Sequence, residues 1–207
     1  MSKKSLKHHF SSPKWKGLHE FAFWKQQKNI EGAFSNDHYE FLFTEHFEFN
    51  LEAFRDKTIL DIGCGPRGSL EWAQNAKRRI GIDPLADKYV KELDAQTHQM
   101  EYIQGGSENI PLEDASCDMV YSLNSLDHVD DLEATIKEIK RCTASKGFFM
   151  VLVEVNHEPR ICEPHSISPI ELIQKLEPEF EGSEYKLYAA NPNGIYRSIQ
   201  KNLILPN

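Results

Sequence analysis

Two carboxylates that flank a glycine-rich turn are the residues of this chain best suited to chemistry. Asp61 lies in the run Ile59-Leu60-Asp61-Ile62-Gly63-Cys64-Gly65-Pro66-Arg67-Gly68, where an apolar stretch gives way to Gly63-x-Gly65-x-x-Gly68. Glycines at that spacing let a backbone turn sharply after a strand and approach a ligand closely. Asp83 follows in Gly81-Ile82-Asp83-Pro84, at the end of the next apolar stretch. An acidic residue about twenty positions beyond such a loop pairs with ribose hydroxyls. A dinucleotide loop for NAD or FAD is the competing reading of the glycines. Asp61 weighs against it, because the position two before the first glycine is usually apolar in a dinucleotide strand. A carboxylate there suits a ligand with an ammonium group. Asp83 is compatible with either ligand.

A second group of reactive side chains lies in Glu154-Val155-Asn156-His157-Glu158-Pro159-Arg160-Ile161-Cys162-Glu163-Pro164-His165. His157, which follows an apolar stretch most closely, is the first candidate for a general base, and His165 is the second. The plain alternative is a polar, solvated loop. His157, Cys162 and His165 lack a fourth ligand at a standard metal spacing, so no metal site is expected. His128, in Leu126-Asp127-His128-Val129, reads as a structural residue beside a helix cap, and Arg67 as an exposed loop charge.

These residues need a scaffold, and the pattern from Lys57 supplies one by alternating short apolar runs with helical periodicity. Strands are predicted over 58–62, 79–82, 100–103, 119–123 and 148–155. Helices are predicted over 69–76, 85–93, from the Asp130 or Asp131 cap through Ile139, and over 169–176. Such alternation predicts a parallel sheet with helices on both faces. Residues 185–188 and 198–205, joined by Asn191-Pro192-Asn193-Gly194, read as a terminal antiparallel strand pair. Residues 1–56 are dense in aromatics and read as helices that pack on the domain, most of the rings being core. Trp24, His38 and Tyr39 are candidates to cover a site. One domain is expected over 1–207, with an N-terminal cap or lid (1–56), a cofactor-binding core (57–155) and a substrate loop, helix and strands (156–207).

The chain has 207 residues, 40% hydrophobic and 27% charged, and a formal net charge of −8. That balance fits a globular protein and disfavours a general affinity for nucleic-acid phosphates. No apolar run approaches the roughly 20 residues that span a bilayer, and the basic start is not followed by a signal-peptide pattern. The four cysteines form no CxxC pair, which suits a reduced, cytoplasmic protein.

Asp-Ile-Gly-Cys-Gly-Pro, then Gly-Ile-Asp-Pro, then Asn109-Ile110-Pro111-Leu112-Glu113-Asp114-Ala115-Ser116-Cys117-Asp118-Met119-Val120, resemble in order and spacing the class I S-adenosylmethionine-dependent methyltransferases, small-molecule type. Leu126-Asp127-His128-Val129 and Glu138-Ile139-Lys140-Arg141 fit the same family. The resemblance spans residues 57–155. It implies a Rossmann-like α/β fold with a seven-stranded, mostly parallel sheet, and S-adenosylmethionine as cofactor. Methyl transfer to O or N of a small-molecule acceptor is then expected, by a monomer or homodimer. By position it implies that Gly63, Cys64 (through its backbone) and Gly65 pass the methionine part and Asp83-Pro84 meet the ribose. Ser107 or Glu108 would lie near the adenine, and Leu123 and Asn124 near the sulfonium. Relatives often carry an aspartate where this chain has Gly106. A nicotinamide- or flavin-linked oxidoreductase and a non-catalytic cofactor-binding protein remain the alternatives.

Overall fold

The structure, a computed structural model, describes residues 13–181, 184, 186–189 and 195–200. Five strands form one parallel sheet in the order β3-β2-β1-β4-β5. They are β1 (Thr58–Ile62), β2 (Arg78–Asp83), β3 (Glu101–Gln104), β4 (Cys117–Leu123) and β5 (Thr143–Leu152). Every pairing is parallel, and the strand order reverses between β1 and β4. Ligands of open α/β sheets bind beyond the carboxyl ends of the strands at such a reversal.

The sequence of β1, Thr-Ile-Leu-Asp-Ile, is buried at every position, as expected of a central strand covered on both faces. Successive side chains alternate between the faces. Ile59 joins Met119, Tyr121, Met150, Phe43 and Phe54 in one core, while Leu60 and Ile62 join Ile80, Val120, Ile136 and Leu172 in the other. Each fully buried aliphatic side chain contributes about 1.5–3 kcal/mol, so β1 anchors both layers. Asp61 shares the parity of Ile59. Since it pairs in register with Gly81, Asp83 lies one pleat further along on the same face.

The helices are α1 (Pro13–Glu31), α2 (Asp37–Phe43), α3 (Ala86–Glu92), α4 (Leu132–Cys142), α5 (Pro169–Leu176) and α6 (Ile195–Gln200). The Asp131 carboxylate caps α4 by accepting from the Ala134 N–H at 3.0 Å, and Ile136 and Ile139 form its buried face. Ser168 caps α5 ahead of Pro169 and Glu171, the expected start signal. The aromatic N-terminal segment packs on the sheet. Phe43 and Phe54 are fully buried, and the Tyr121 hydroxyl donates to the Phe43 carbonyl at 2.7 Å.

Several expectations are corrected. The described sheet has five strands, where seven were expected. Residues 195–200 form α6, so the second terminal strand expected from 198 is helical where it is described. Tyr185, 191–194 and 201–205 of the expected antiparallel pair lie outside the described residues, and 186–188 carry no regular structure. The helix expected over 69–76 is a series of tight turns, with Glu71, Ala73 and Ala76 N–H groups each bonding a carbonyl three residues back. Arg79 fastens this segment by donating to the Glu71 carbonyl at 3.2 Å, and Glu71 in turn accepts from the Gln99 and Met100 N–H groups. Only fifteen residues separate β1 from β2, and long-range bonds hold most of the path. The fifth strand begins at Thr143 rather than Phe148 because an irregularity in its pairing with β4 absorbs the turn at Lys146-Gly147. It ends at Leu152, with Val155 making a separate bridge to Ile167.

Candidate functional site

A cavity of about 780 Å³ opens at the carboxyl ends of β1, β2 and β4. Its floor is the glycine loop. Gly63 has φ +70° and its N–H donates to the Ile82 carbonyl at 2.8 Å, which ties the loop to β2. A Cβ on Gly63 would fall 2.4 Å from Ser125 Cβ, so the residue is held to glycine by both conformation and space. Gly65, at φ +60°, lies under Trp24, whose indole would be 3.2 Å from an added Cβ.

The resemblance's cofactor positions Asp61, Gly63, Gly65, Asp83, Pro84, Ser107, Glu108, Leu123 and Asn124 all line this cavity. Cys64 does not: its side chain is buried against Gly81 and Met100 instead. Asp61 accepts a hydrogen bond from Ser69, yet burial pushes its carboxyl up to about 7, with a further push from Asp83. Asp83 accepts from the N–H groups of Leu85 at 2.8 Å and Gly65 at 3.2 Å. Burial still lifts it to about 6 against those bonds. Glu108 is spent on structure, accepting from the Asp130 N–H at 2.8 Å and the Asp131 N–H at 3.2 Å. Ser107 Oγ pairs with Thr135 Oγ1 at 2.9 Å.

The wall opposite the sheet is α1. Lys16, His19, Glu20, Phe23 and Trp24 face the cavity from successive turns of one side of that helix. Glu20 is a third, half-buried acid: desolvation, then repulsion from Asp83, push its carboxyl up to about 7, while Lys16 pulls it down. The wall is anchored by ion pairs of Lys16 with Asp130 (2.9 Å), Lys25 with Glu92 (2.8 Å) and Lys28 with Asp94 (2.7 Å). His38, Tyr39 and Tyr196 continue it, and the Tyr196 hydroxyl donates to the Leu123 carbonyl at 3.3 Å. Arg67 is no exposed charge. It forks onto Glu31 at 2.5 and 2.7 Å and lies over the Phe34 ring at 4.6 Å, closing the end of α1 onto the glycine loop.

The far end of the cavity is lined by His128, Val129, Asp130, Cys162 and Glu163. Neither expected base reaches it. Buried His157 directs Nδ1 at the Glu158 carbonyl (2.9 Å) and Nε2 at the Asp127 carboxylate (3.3 Å). His165 donates from Nε2 to the Val129 carbonyl at 2.9 Å and braces the loop. His128, expected to be structural, lines the cavity. Burial lowers its pKa, and Asp127 and Glu163 oppose that shift. Asp127 is buried beneath it, and burial raises its carboxyl.

Sequence reasoning missed Glu20, Glu163 and Tyr196. Only the i, i+4 spacing of Lys16, Glu20 and Trp24 marked a shared face in advance. A larger cavity, about 1050 Å³, runs along β5 toward α5, Tyr188 and Ile195, away from the glycine loop. It lacks the converging buried carboxylates of the first, which is the better candidate site.

Residues 60–151 match the methyltransferase domain family. Over 98 residues the chain is 34% identical to the malonyl-[acyl-carrier protein] O-methyltransferase of Enterobacter lignolyticus, covering 47% of this chain and 39% of that protein. It is 28% identical over 134 residues to the ajmaline N-methyltransferase of Rauvolfia serpentina, covering 61% and 43%. The chain thus spans about two fifths of the length of these curated relatives. The crystal structure of the YcgJ protein from Bacillus subtilis shares the fold, with a TM-score of 0.52 at 18% identity over 60% of this chain and 63% of that one. Among the described residues no helix is long and apolar enough to cross a membrane. With its parallel sheet reversing at β1 and β4 and its glycine loop, the chain carries over residues 60–151 a region similar to the methyltransferase domain family.

Proposed function

We propose that this chain transfers a methyl group from S-adenosylmethionine to an oxygen or nitrogen of a small-molecule acceptor. The observation that carries the reading is the acidic cavity over the glycine loop, where Asp61, Asp83 and Glu20 converge with little compensating positive charge. Lys16 is drawn off to Asp130 and Arg67 to Glu31. Two buried carboxyls and a half-buried third cost stability unless a cation neutralises them, and a ligand with both an ammonium and a sulfonium does so. The chain's residues fit that cofactor: Asp61 would hold the ammonium side, Asp83 the ribose hydroxyls, and the Gly63–Gly65 backbone the close approach. When bound, the cofactor supplies an activated methyl group.

The chain's part is positioning and exclusion of water. Holding acceptor and donor in line supplies much of the rate in such displacements. Trp24, Tyr39 and Tyr196 present rings to one wall, which favours an acceptor with an apolar body. His128 at the far end faces the cavity and lies 4.0 Å from Asp127, so it is the group best placed to receive a proton from an acceptor hydroxyl. The O- and N-methylating relatives support either acceptor atom.

Calorimetry with S-adenosylmethionine, S-adenosylhomocysteine and NAD tests the reading. The first two should bind one per chain, and Asp83→Ala should weaken both by at least about tenfold, the loss of one charged hydrogen bond. Binding of NAD alone would overturn it.

A further inference from the structure

At the far end of the cavity four side chains from three separate stretches converge in a way that the hydrogen bonding of the protein does not explain. Asp127 and His128 come from the turn after β4, His157 from the loop after β5, and Glu163 from six residues further on. His157 Nε2 is 3.3 Å from Asp127 Oδ2. His128 Nε2 is 4.0 Å from Asp127 Oδ1 and 3.8 Å from Glu163 Oε1. One donor atom each from Asp127, His157 and Glu163 lie within 4.8 Å of one another.

Asp127 Oδ1, His128 Nε2 and His157 Nε2 are all buried, and none has a hydrogen-bond partner. The side chains of Asp127 and His157 are only 2% and 3% exposed. Leaving three such atoms unsatisfied side by side costs about 1–3 kcal/mol each. The His157 ring is also oriented by its surroundings. Its Nδ1–H donates to the Glu158 carbonyl at 2.9 Å, which leaves the Nε2 lone pair turned toward a carboxylate. That is the arrangement in which a metal-ligating histidine is held by a second-sphere carbonyl.

We propose that Asp127, His157 and Glu163 bind a divalent first-row transition ion, of which Zn²⁺ is the type case. An imidazole beside two carboxylates is a donor set for such ions rather than for Mg²⁺ or Ca²⁺, which prefer all-oxygen shells. Ligands at about 2.0–2.2 Å from a tetrahedral ion stand roughly 3.4 Å apart. The His157–Asp127 separation of 3.3 Å already matches, and Glu163, within 4.8 Å of both, needs to close by at most roughly 1.4 Å. Neighbouring cations leave the centre open. Arg160 Nη1 pairs with the other Glu163 oxygen, Oε2, at 2.5 Å. Lys16 is turned to the His128 carbonyl and to Asp130. His165 and Cys162, considered as ligands from sequence, are not in the cluster: the His165 Nε2 is committed to Val129.

Because Glu163 also lines the cavity, an ion here would face whatever occupies the acceptor end. An acceptor oxygen on the ion would lose its proton more readily. That role rests on the methyl-transfer reading; the binding itself does not.

The test uses the full chain after exhaustive chelation. Zn²⁺ is titrated by calorimetry, and Co²⁺ by its visible absorption, in wild type and in Glu163→Gln and His157→Gln. Glu163 is partly exposed, and the folding of both variants is checked by circular dichroism. One Zn²⁺ per wild-type chain is expected, with affinity reduced at least about tenfold in each folded variant. No stoichiometric Zn²⁺ or Co²⁺ binding, or binding indifferent to both substitutions, overturns the proposal. S-adenosylhomocysteine is titrated in parallel. Its binding without metal binding removes the ion and leaves the methyltransferase reading, whereas metal binding alone does the reverse.

Discussion

Gly63→Ala is the sharpest test of how the glycine loop is built. The residue has φ +70°, a conformation that costs an L-residue about 1–2 kcal/mol. The new Cβ would stand 2.4 Å from Ser125 Cβ and 2.8 Å from Ser125 Oγ. Ser125 has little room to retreat, because its hydroxyl donates to the Ile62 carbonyl at 2.6 Å and pairs with Ser122 at 2.8 Å. Overpacking of this kind adds about 1–3 kcal/mol. A total near 3 kcal/mol corresponds to a fall in melting temperature of roughly 6–12 °C for a chain of this size. Gly32→Ala is the internal control. Gly32 has φ +75° at the end of α1, and nothing lies within 4 Å of its added Cβ, so it bears the conformational cost alone. Calorimetric melting of both variants isolates the clash. Adding Ser125→Gly to Gly63→Ala should recover part of the loss, although Ser125→Gly alone is destabilising. Equal melting temperatures for Gly63→Ala and Gly32→Ala would refute the packing argument.

Other outcomes follow from the site. Asp61, Asp83 and Glu20 have folded-state pKa values of about 7, 6 and 7, above their ordinary range near 4, so the folded state holds more protons between them. The unliganded protein should therefore lose stability as pH rises from about 4 to 7 and level off above, while affinity for S-adenosylmethionine rises over the upper part of that window. Melting and titration across pH 5–8 check both signs, and a rise in unliganded stability through that range would contradict the burial argument. Arg67→Ala removes the fork onto Glu31 and the stack on Phe34, at about 1 kcal/mol, and should speed proteolysis within residues 32–36. His128→Ala should lower turnover at least about a hundredfold and leave S-adenosylhomocysteine affinity within about threefold, read from kcat and calorimetry.

The parts legible in the sequence were those in which a local pattern has a local cause. A buried strand that carries Asp61 and runs into a glycine turn can be read from ten consecutive residues, as can the Ser168-Pro169 start of α5. The helix expected over 69–76 failed because its apolar spacing is helical, while the short path from β1 to β2 and the bonds of Arg79 and Glu71 require tight turns. His157 was read as a base from its position after a strand, but its nitrogens are aimed by contacts with Glu158 and Asp127 that no local pattern encodes. Glu20 escaped notice for the same reason. A glutamate on a helix of mixed polarity is ordinary until the fold sets it opposite Asp83.

The lysine tethers of α1 bear on the timing of turnover. With the sheet behind the cavity and α1 across it, a ligand leaves most directly when that helix swings aside. All three tethers have at least one partner about half exposed to solvent. Ions at about 0.1 M screen such pairs over roughly 10 Å. Added salt should therefore loosen the gate before it disturbs the buried carboxyls, so that S-adenosylhomocysteine departs faster in stopped-flow measurements while the melting temperature barely moves. The helix that completes the pocket would then also set how long the spent cofactor stays.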